Sequence, residues 1–283
     1  MLVHAKDWRS LAYLLGLPLL VIYQWNLSAF NPLLYAVTLL LVLGVCCINH
    51  NHAHVPMWRA RSMNVLTDYW IGTLQGHPVF LFDVAHIASH HRYNQGEQDV
   101  TRLARWGVHN HIAGYLLFPV LAALPLARLK RDYIGRLLRG DVAQFAVVVL
   151  QHVPLLVLWV AAFMLDGSKA ALYIVIPQVI SLHFLLASNY LQHAHALAGS
   201  RYNHARNFTG AMNHFLFNVG YHTAHHEQEN LHWSELPLAH ARIQAHVDPA
   251  LNERSLVVYF VRTLMLGAFI KRLRSRPLGP GDA

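Results

Sequence analysis

Charge is scarce in this chain: of 283 residues, 13% are Asp, Glu, Lys or Arg and 55% are hydrophobic, where soluble domains carry about 25% charged residues. That balance excludes an ordinary soluble domain and implies an integral membrane protein. Cysteine is scarcer still. Cys46 and Cys47 are adjacent within an apolar run, which excludes both a disulfide framework and a CxxC metal or redox site. Acidic residues number 14 against 22 basic ones, giving a formal charge of +8. The basic residues flank apolar runs and form no nucleic-acid motif, so an anionic membrane face or an acidic protein partner is expected, and no nucleic acid.

Long apolar runs are present. Residues 11–30 and 33–49 are separated by Asn31-Pro32, and residues 143–165 and 170–188 by Asp166-Gly167-Ser168-Lys169; each run is long enough to cross a bilayer. The first has no small-residue cleavage site and reads as an anchor, not a signal peptide. The expected fold is all-α and integral to the membrane, one domain over 1–283 with four transmembrane helices in two hairpins. Residues 55–85 are too polar to span and read as a helix lying along the interface. Residues 110–126, interrupted by Pro119 and Pro125, read as an interfacial or re-entrant piece. Lys6, Arg9, Arg59, Arg61, the run from Arg128 to Arg139 and the tail from Lys271 to Arg276 all fall on one side of this topology. The positive-inside rule makes that side cytoplasmic. Residues 50–109 and 189–240 then form a cytoplasmic helical cap.

Histidine, in contrast, is abundant at 22 residues, and it is clustered. In the stretch Tyr221-His222-Thr223-Ala224-His225-His226-Glu227, three imidazoles fall at i, i+3 and i+4, on one helical face. His86, His90 and His91 form an HxxxHH cluster, and His50 and His54 lie at i, i+4 where the second apolar run ends. All three clusters land on the cytoplasmic side of the expected topology. Eight imidazoles exceed the needs of one ion, so two metals are implied. Imidazole suits iron, zinc, copper and nickel alike. Neutral ligands beside an apolar slab nevertheless point to oxidation of an alkyl chain by metal-activated oxygen, because an unactivated C–H bond offers hydrolysis nothing to attack.

The order and spacing of these clusters resemble the integral-membrane fatty acid desaturases and related alkane hydroxylases, a superfamily with three histidine boxes and a non-haem di-iron centre. His50 and His54 match the first box, His86, His90 and His91 the second, and His222, His225 and His226 the third. Asn189-Tyr190-Leu191-Gln192-His193 resembles the NYxxH motif of alkane hydroxylases and the additional histidine that desaturases carry between their second and third boxes. The resemblance thereby makes His193 a ninth ligand and Asn189 a water-mediated metal contact. The second box and the Glu97-Gln98-Asp99 stretch behind it are nearer the alkane hydroxylases, whereas the third box is nearer the acyl desaturases.

Implied with the resemblance are two iron ions, O2 as co-substrate, and a lipid or fatty acyl substrate. Electrons would come from a separate ferredoxin, rubredoxin or cytochrome b5 type donor with its reductase, since no such segment is visible here. The implied reaction is introduction of a C=C bond into an acyl-lipid, acyl-CoA or acyl-carrier chain. The alternative within the superfamily is hydroxylation of an alkane, fatty acyl or other lipid substrate. A divalent-metal transporter is the reading from another class, but it needs ligands near the bilayer midplane on broken helices. A multi-pass protein among membrane lipids with a cytoplasmic-facing site is expected, in the plasma (inner) membrane if bacterial.

Around the boxes, Asp83, Asp99, Glu227 and Glu235 are expected acceptors for ligand N–H groups. Gln151, His152, Gln178 and His183 lie within spans and suit interhelical hydrogen bonds. Trp58, Trp70, Trp106 and Trp233 read as interfacial anchors, and Arg59, Arg61, Arg102, Arg105 and the tail as a basic face for an acidic electron donor. His52, His77, His195, His204, His214 and His232 are read as non-ligands.

Overall fold

A computed structural model describes residues 1–103 and 110–278; Arg105 and Trp106 lie outside the described residues. In chain order the helices that position the site are α1 (Trp8–Trp25), α2 (Pro32–His54), α3 (Arg61–Gln75), α4 (Phe80–Ala85), α5 (Ile112–Gly140), α6 (Val142–Leu165), α7 (Gly167–His193), α8 (His222–Glu227), α9 (Leu236–Ile243) and α10 (Leu256–Ala268). Strands are confined, among the described residues, to β1 (Asn207–Phe208) and β2 (Asn252–Glu253), which pair in parallel. Among the described residues, four helices are long and apolar enough to cross a membrane: α2, α5, α6 and α7. The run expected to span over 11–30 forms α1, an 18-residue helix that is not among these four, while the piece expected to be interfacial or re-entrant over 110–126 continues to Gly140 as a helix of 29 residues that is.

The described chain forms two compact units, Met1–Asp83 with Arg131–Leu185 and Val84–Lys130 with Leu186–Ala283. In the first unit, turn residues set where the spans begin. Asn31 accepts from Leu33 N and Leu34 N at 3.1 Å, Asp141 from Gln144 N at 2.9 Å and Asp166 from Lys169 N at 3.0 Å, and each satisfies donors that a helix start leaves orphaned. The segment expected along the interface runs inward instead. Thr67, Ile71, Thr73, Leu74 and Gln75 of α3 are buried. The helix closes on Gly76 at φ +84, where an added Cβ would meet the Gln178 side chain at 2.6 Å; glycine alone suits that position.

A chain that reverses inside an apolar layer leaves backbone groups no water can reach. Two glutamines answer this. Gln178 Nε2 donates to the Thr73 carbonyl at 2.9 Å while its Oε1 accepts from Trp159 Nε1 at 2.8 Å, and Gln151 Oε1 accepts from Phe80 N at 3.3 Å. The expected interhelical role of Gln151 and Gln178 is thus to complete a broken helix. The same unit forms an apolar, partly open cavity of about 420 Å³ between α1, α2, α3, α6 and α7, with Leu17, Val21, Trp25, Val42, Leu158 and Ile174 on its wall.

In the second unit, Tyr115 and Phe118 of α5, Tyr190 and Leu191 of α7, Phe208 of β1 and Tyr259 of α10 share one core. Arg206, 1% exposed, clamps the end of α7. Its Nη1 donates to the carbonyls of Leu191 at 3.2 Å and Ala194 at 2.9 Å, and its guanidinium lies 4.7 Å from the Tyr259 ring centre. A cation at the negative end of the helix fixes the turn that carries His193. Trp233 is buried against Phe217, a core residue and not the interfacial anchor expected.

Candidate metal centre

Seven of the nine expected ligands lie in the second unit, on three segments. α4 runs on into a π-helical stretch, His86–His91. In an α-helix His91 would stand about 140° round from His86, but the wider i→i+5 turn brings it back over His86, and their Nε2 atoms are 3.0 Å apart. α8 places His222 and His226 one turn apart, with Nε2 atoms at 3.1 Å. The end of α7 brings His193 Nε2 to 3.0 Å from His222 Nε2.

These seven sort into two sets. His90, His193, His222 and His226 each offer a ligand nitrogen within 4.8 Å of the others, and so do His86, His91 and His225. His225 Nε2 lies 3.0 Å from His91 Nε2. The second and third boxes therefore each feed both sets. His50 and His54 lie in the first unit at the end of α2, their ring centres 5.2 Å apart, with His50 edge-on to Phe82 at 5.8 Å.

Whether the residues fit a metal turns on their protons. His90 Nδ1 lies 2.9 Å from Asp99 Oδ2, His91 Nδ1 3.2 Å from Glu229 Oε2, and His193 Nδ1 2.8 Å from the His204 carbonyl. A carboxylate or carbonyl only accepts, so each of these Nδ1 atoms carries the proton and each Nε2 presents a lone pair. His90 Nε2 is buried without a hydrogen bond among the described residues. Gathering lone pairs at 3.0–3.1 Å in a buried site is costly unless a cation stands among them. Metal–imidazole bonds of about 2.1 Å at right angles would separate neighbouring nitrogens by about 3.0 Å. The donor set fits a transition-metal ion in each group.

The electrostatics agree. Asp99 is fully buried and takes four donors: His90 Nδ1, Gln95 N at 3.0 Å, Thr101 N at 2.8 Å and Thr101 Oγ1 at 2.7 Å. Burial pushes its carboxyl up, but the bonds from His90 and Thr101 outweigh burial and hold it well below the usual carboxylate range. Burial pushes the His226 imidazole well below the ordinary value, with the neighbouring histidines acting in the same direction. Neutral imidazole is the form that ligates.

Asn189 is committed to the loop behind the second box: its Nδ2 donates to the Thr101 carbonyl at 3.0 Å and its Oδ1 accepts from Gln95 Nε2 at 3.4 Å. Through Gln95 it braces the turn that carries Asp99. Glu227 accepts from Arg201 Nε at 2.7 Å, Asp83 keeps a buried Oδ1 in the first unit, and His195 turns at φ +63 to pair with Ser275 Oγ at 2.8 Å. Sequence reasoning missed Glu229 and the His204 carbonyl. Glu229 stands one turn beyond the third box, where a search of nearby carboxylates would have found it; a carbonyl acceptor leaves no such trace.

No curated protein and no solved structure matches the chain. A profile described as fatty acid desaturase matches residues 7–257. That match takes in most of the chain and every histidine of both sets, and the chain belongs to the fatty acid desaturase family of membrane oxidoreductases.

Proposed function

We propose that the chain is an O2-dependent di-iron enzyme that introduces a C=C bond into a fatty acyl chain. The observation that carries this reading is the division of seven histidines into two converging sets, three of them with tautomers fixed by outside acceptors. His50 and His54 are assigned to the same di-metal centre on their match to the first box. Iron bound there would supply the oxygen activation that C–H cleavage requires. The protein's own part is positional. Asp99, Glu229 and the His204 carbonyl keep protons on the Nδ1 atoms of His90, His91 and His193, so the ligands hold their orientation through turnover. The apolar cavity of the first unit suits an alkyl chain, because its wall carries no charged side chain. The site faces the cytoplasm, where the basic residues Arg59, Arg61, Arg102, Arg105 and the tail would attract an acidic donor.

Hydroxylation is the second reading, favoured by the HxxxHH spacing and by Asp99, which belongs to the stretch that resembles alkane hydroxylases and here bonds His90. Expression in a host of known lipid profile, with mass spectrometry of products, separates the two. Loss of two hydrogens marks desaturation and gain of one oxygen marks hydroxylation. His225→Ala should abolish either product. An unchanged profile from iron-loaded protein supplied with a competent donor would overturn both readings.

A further inference from the structure

His204 belongs to no box, and it lies in the connection between α7 and β1, 2% exposed. Its Nδ1 donates to the carbonyls of Ser200 and Arg201, each at 3.0 Å. That places the proton on Nδ1 and a lone pair on Nε2. The Nε2 atom is buried and makes no hydrogen bond among the described residues. A tethered Nδ1 and a buried Nε2 without a donor are the two features that also mark His90. An acceptor buried without a donor is a net cost to folding, and this lone pair is of the kind a transition-metal ion takes.

Its position points the same way. The His204 ring centre is 5.1 Å from that of His226 and 6.4 Å from that of His193. Within the four-histidine set the corresponding separations run from 4.6 Å for His222 and His226 to 6.4 Å for His90 and His222. His204 thus packs against two members of the set, and its own carbonyl already orients one of them; its ring nitrogens lie outside the group within 4.8 Å of one another, so ligation would draw the ring inward. We propose that His204 Nε2 is a further nitrogen donor to the metal ion held by His90, His193, His222 and His226. The assignment rests on the metal-centre reading above.

Two variants of the full-length protein in detergent separate ligation from tethering, with Co²⁺ as an optical probe and iron loaded separately. His204→Asn keeps a donor near the Nδ1 position for the Ser200 and Arg201 carbonyls but removes the Nε2 donor. His204→Gln does the reverse, offering an amide oxygen near the Nε2 position. The proposal expects His204→Asn to release one of two ions to a chelator at least about tenfold faster than wild type, the scale on which partners of metal sites act. The cobalt ligand-field bands should shift with it, while the second ion stays bound and His204→Gln keeps most of both properties. The opposite order, with His204→Asn like wild type and His204→Gln losing metal, overturns the proposal, as do wild-type spectra in both variants. Loss of both ions alike, without recovery on adding free imidazole, also counts against it. A wild-type protein that takes up neither cobalt nor iron would overturn the metal-centre reading itself, a separate outcome.

Discussion

Replacing one oxygen of Asp99 tests the centre with little change of shape. Its two carboxylate oxygens share four donors, His90 Nδ1 and Gln95 N on Oδ2, and Thr101 N and Oγ1 on Oδ1. In Asp99→Asn an NH2 group takes one oxygen's place. At the Oδ2 position it would face two N–H groups that cannot turn away. At the Oδ1 position it faces the Thr101 hydroxyl, which can rotate to accept, and Thr101 N at 2.8 Å, which cannot. The second arrangement is the cheaper one. It leaves a buried backbone N–H without an acceptor, about 1–3 kcal/mol, and reduces the charge-assisted bond to His90 to a neutral one, about 1 kcal/mol more. The metal-free protein should lose roughly 2–4 kcal/mol of stability, and metal affinity should fall about 10–100-fold as His90 loses its anionic partner. Denaturant unfolding of the metal-free protein and competition with a chelator read the two effects separately. A variant that loses stability yet binds metal as tightly as wild type would refute the reasoning, since Asp99 would then shape the loop without tuning the ligand.

Gln178→Leu should cost about 2–6 kcal/mol, because it strands both the Thr73 carbonyl and the Trp159 indole N–H in a region without water; Trp159→Phe in the same chain should add less than its own cost, measured by unfolding in a bilayer mimetic. His240 is 3% exposed, and burial lowers its pKa from the ordinary 6.5. The folded-state value lies below the unfolded one, so stability is complete above about pH 6.5 and falls as pH drops toward the folded-state value. His240→Phe should flatten that acid limb in unfolding curves of the metal-free protein, and an unaltered slope would show that other groups set it.

The boxes were legible because ligand spacing is local: His222, His225 and His226 announce a helical face within seven letters. How the boxes divide was not legible. His90 and His91 are neighbours in sequence yet belong to different sets, and that split depends on a π-helical turn for which composition carries no signal. Pro119 and Pro125 made the run over 110–126 look interrupted, yet α5 carries both within one helix, as apolar surroundings permit when neighbours satisfy the freed carbonyls. The segment over 55–85 misled for the converse reason. Its polar letters suggested water, and its polar atoms are met by glutamines far along the chain. Asn189 was found by motif, but its partners Gln95 and Thr101 lie about ninety residues upstream, where only the tertiary fold can bring them.

The outer partners also make the two sets electrically unlike. The four-histidine set has the buried Asp99 behind His90, ionised because its hydrogen bonds outweigh burial. The three-histidine set has Glu229 behind His91, and that carboxylate is 46% exposed, so water and salt screen much of its charge. A carboxylate behind an imidazole raises its basicity as a ligand, and it does so more strongly where the dielectric is low. His193, tied to a carbonyl, gains orientation without that charge. Of the two carboxylates bonded to these imidazoles, the buried Asp99 therefore acts more strongly on His90 than the half-exposed Glu229 acts on His91. Were each set to hold a metal ion, the two ions would differ through Asp99 and Glu229, which belong to neither set.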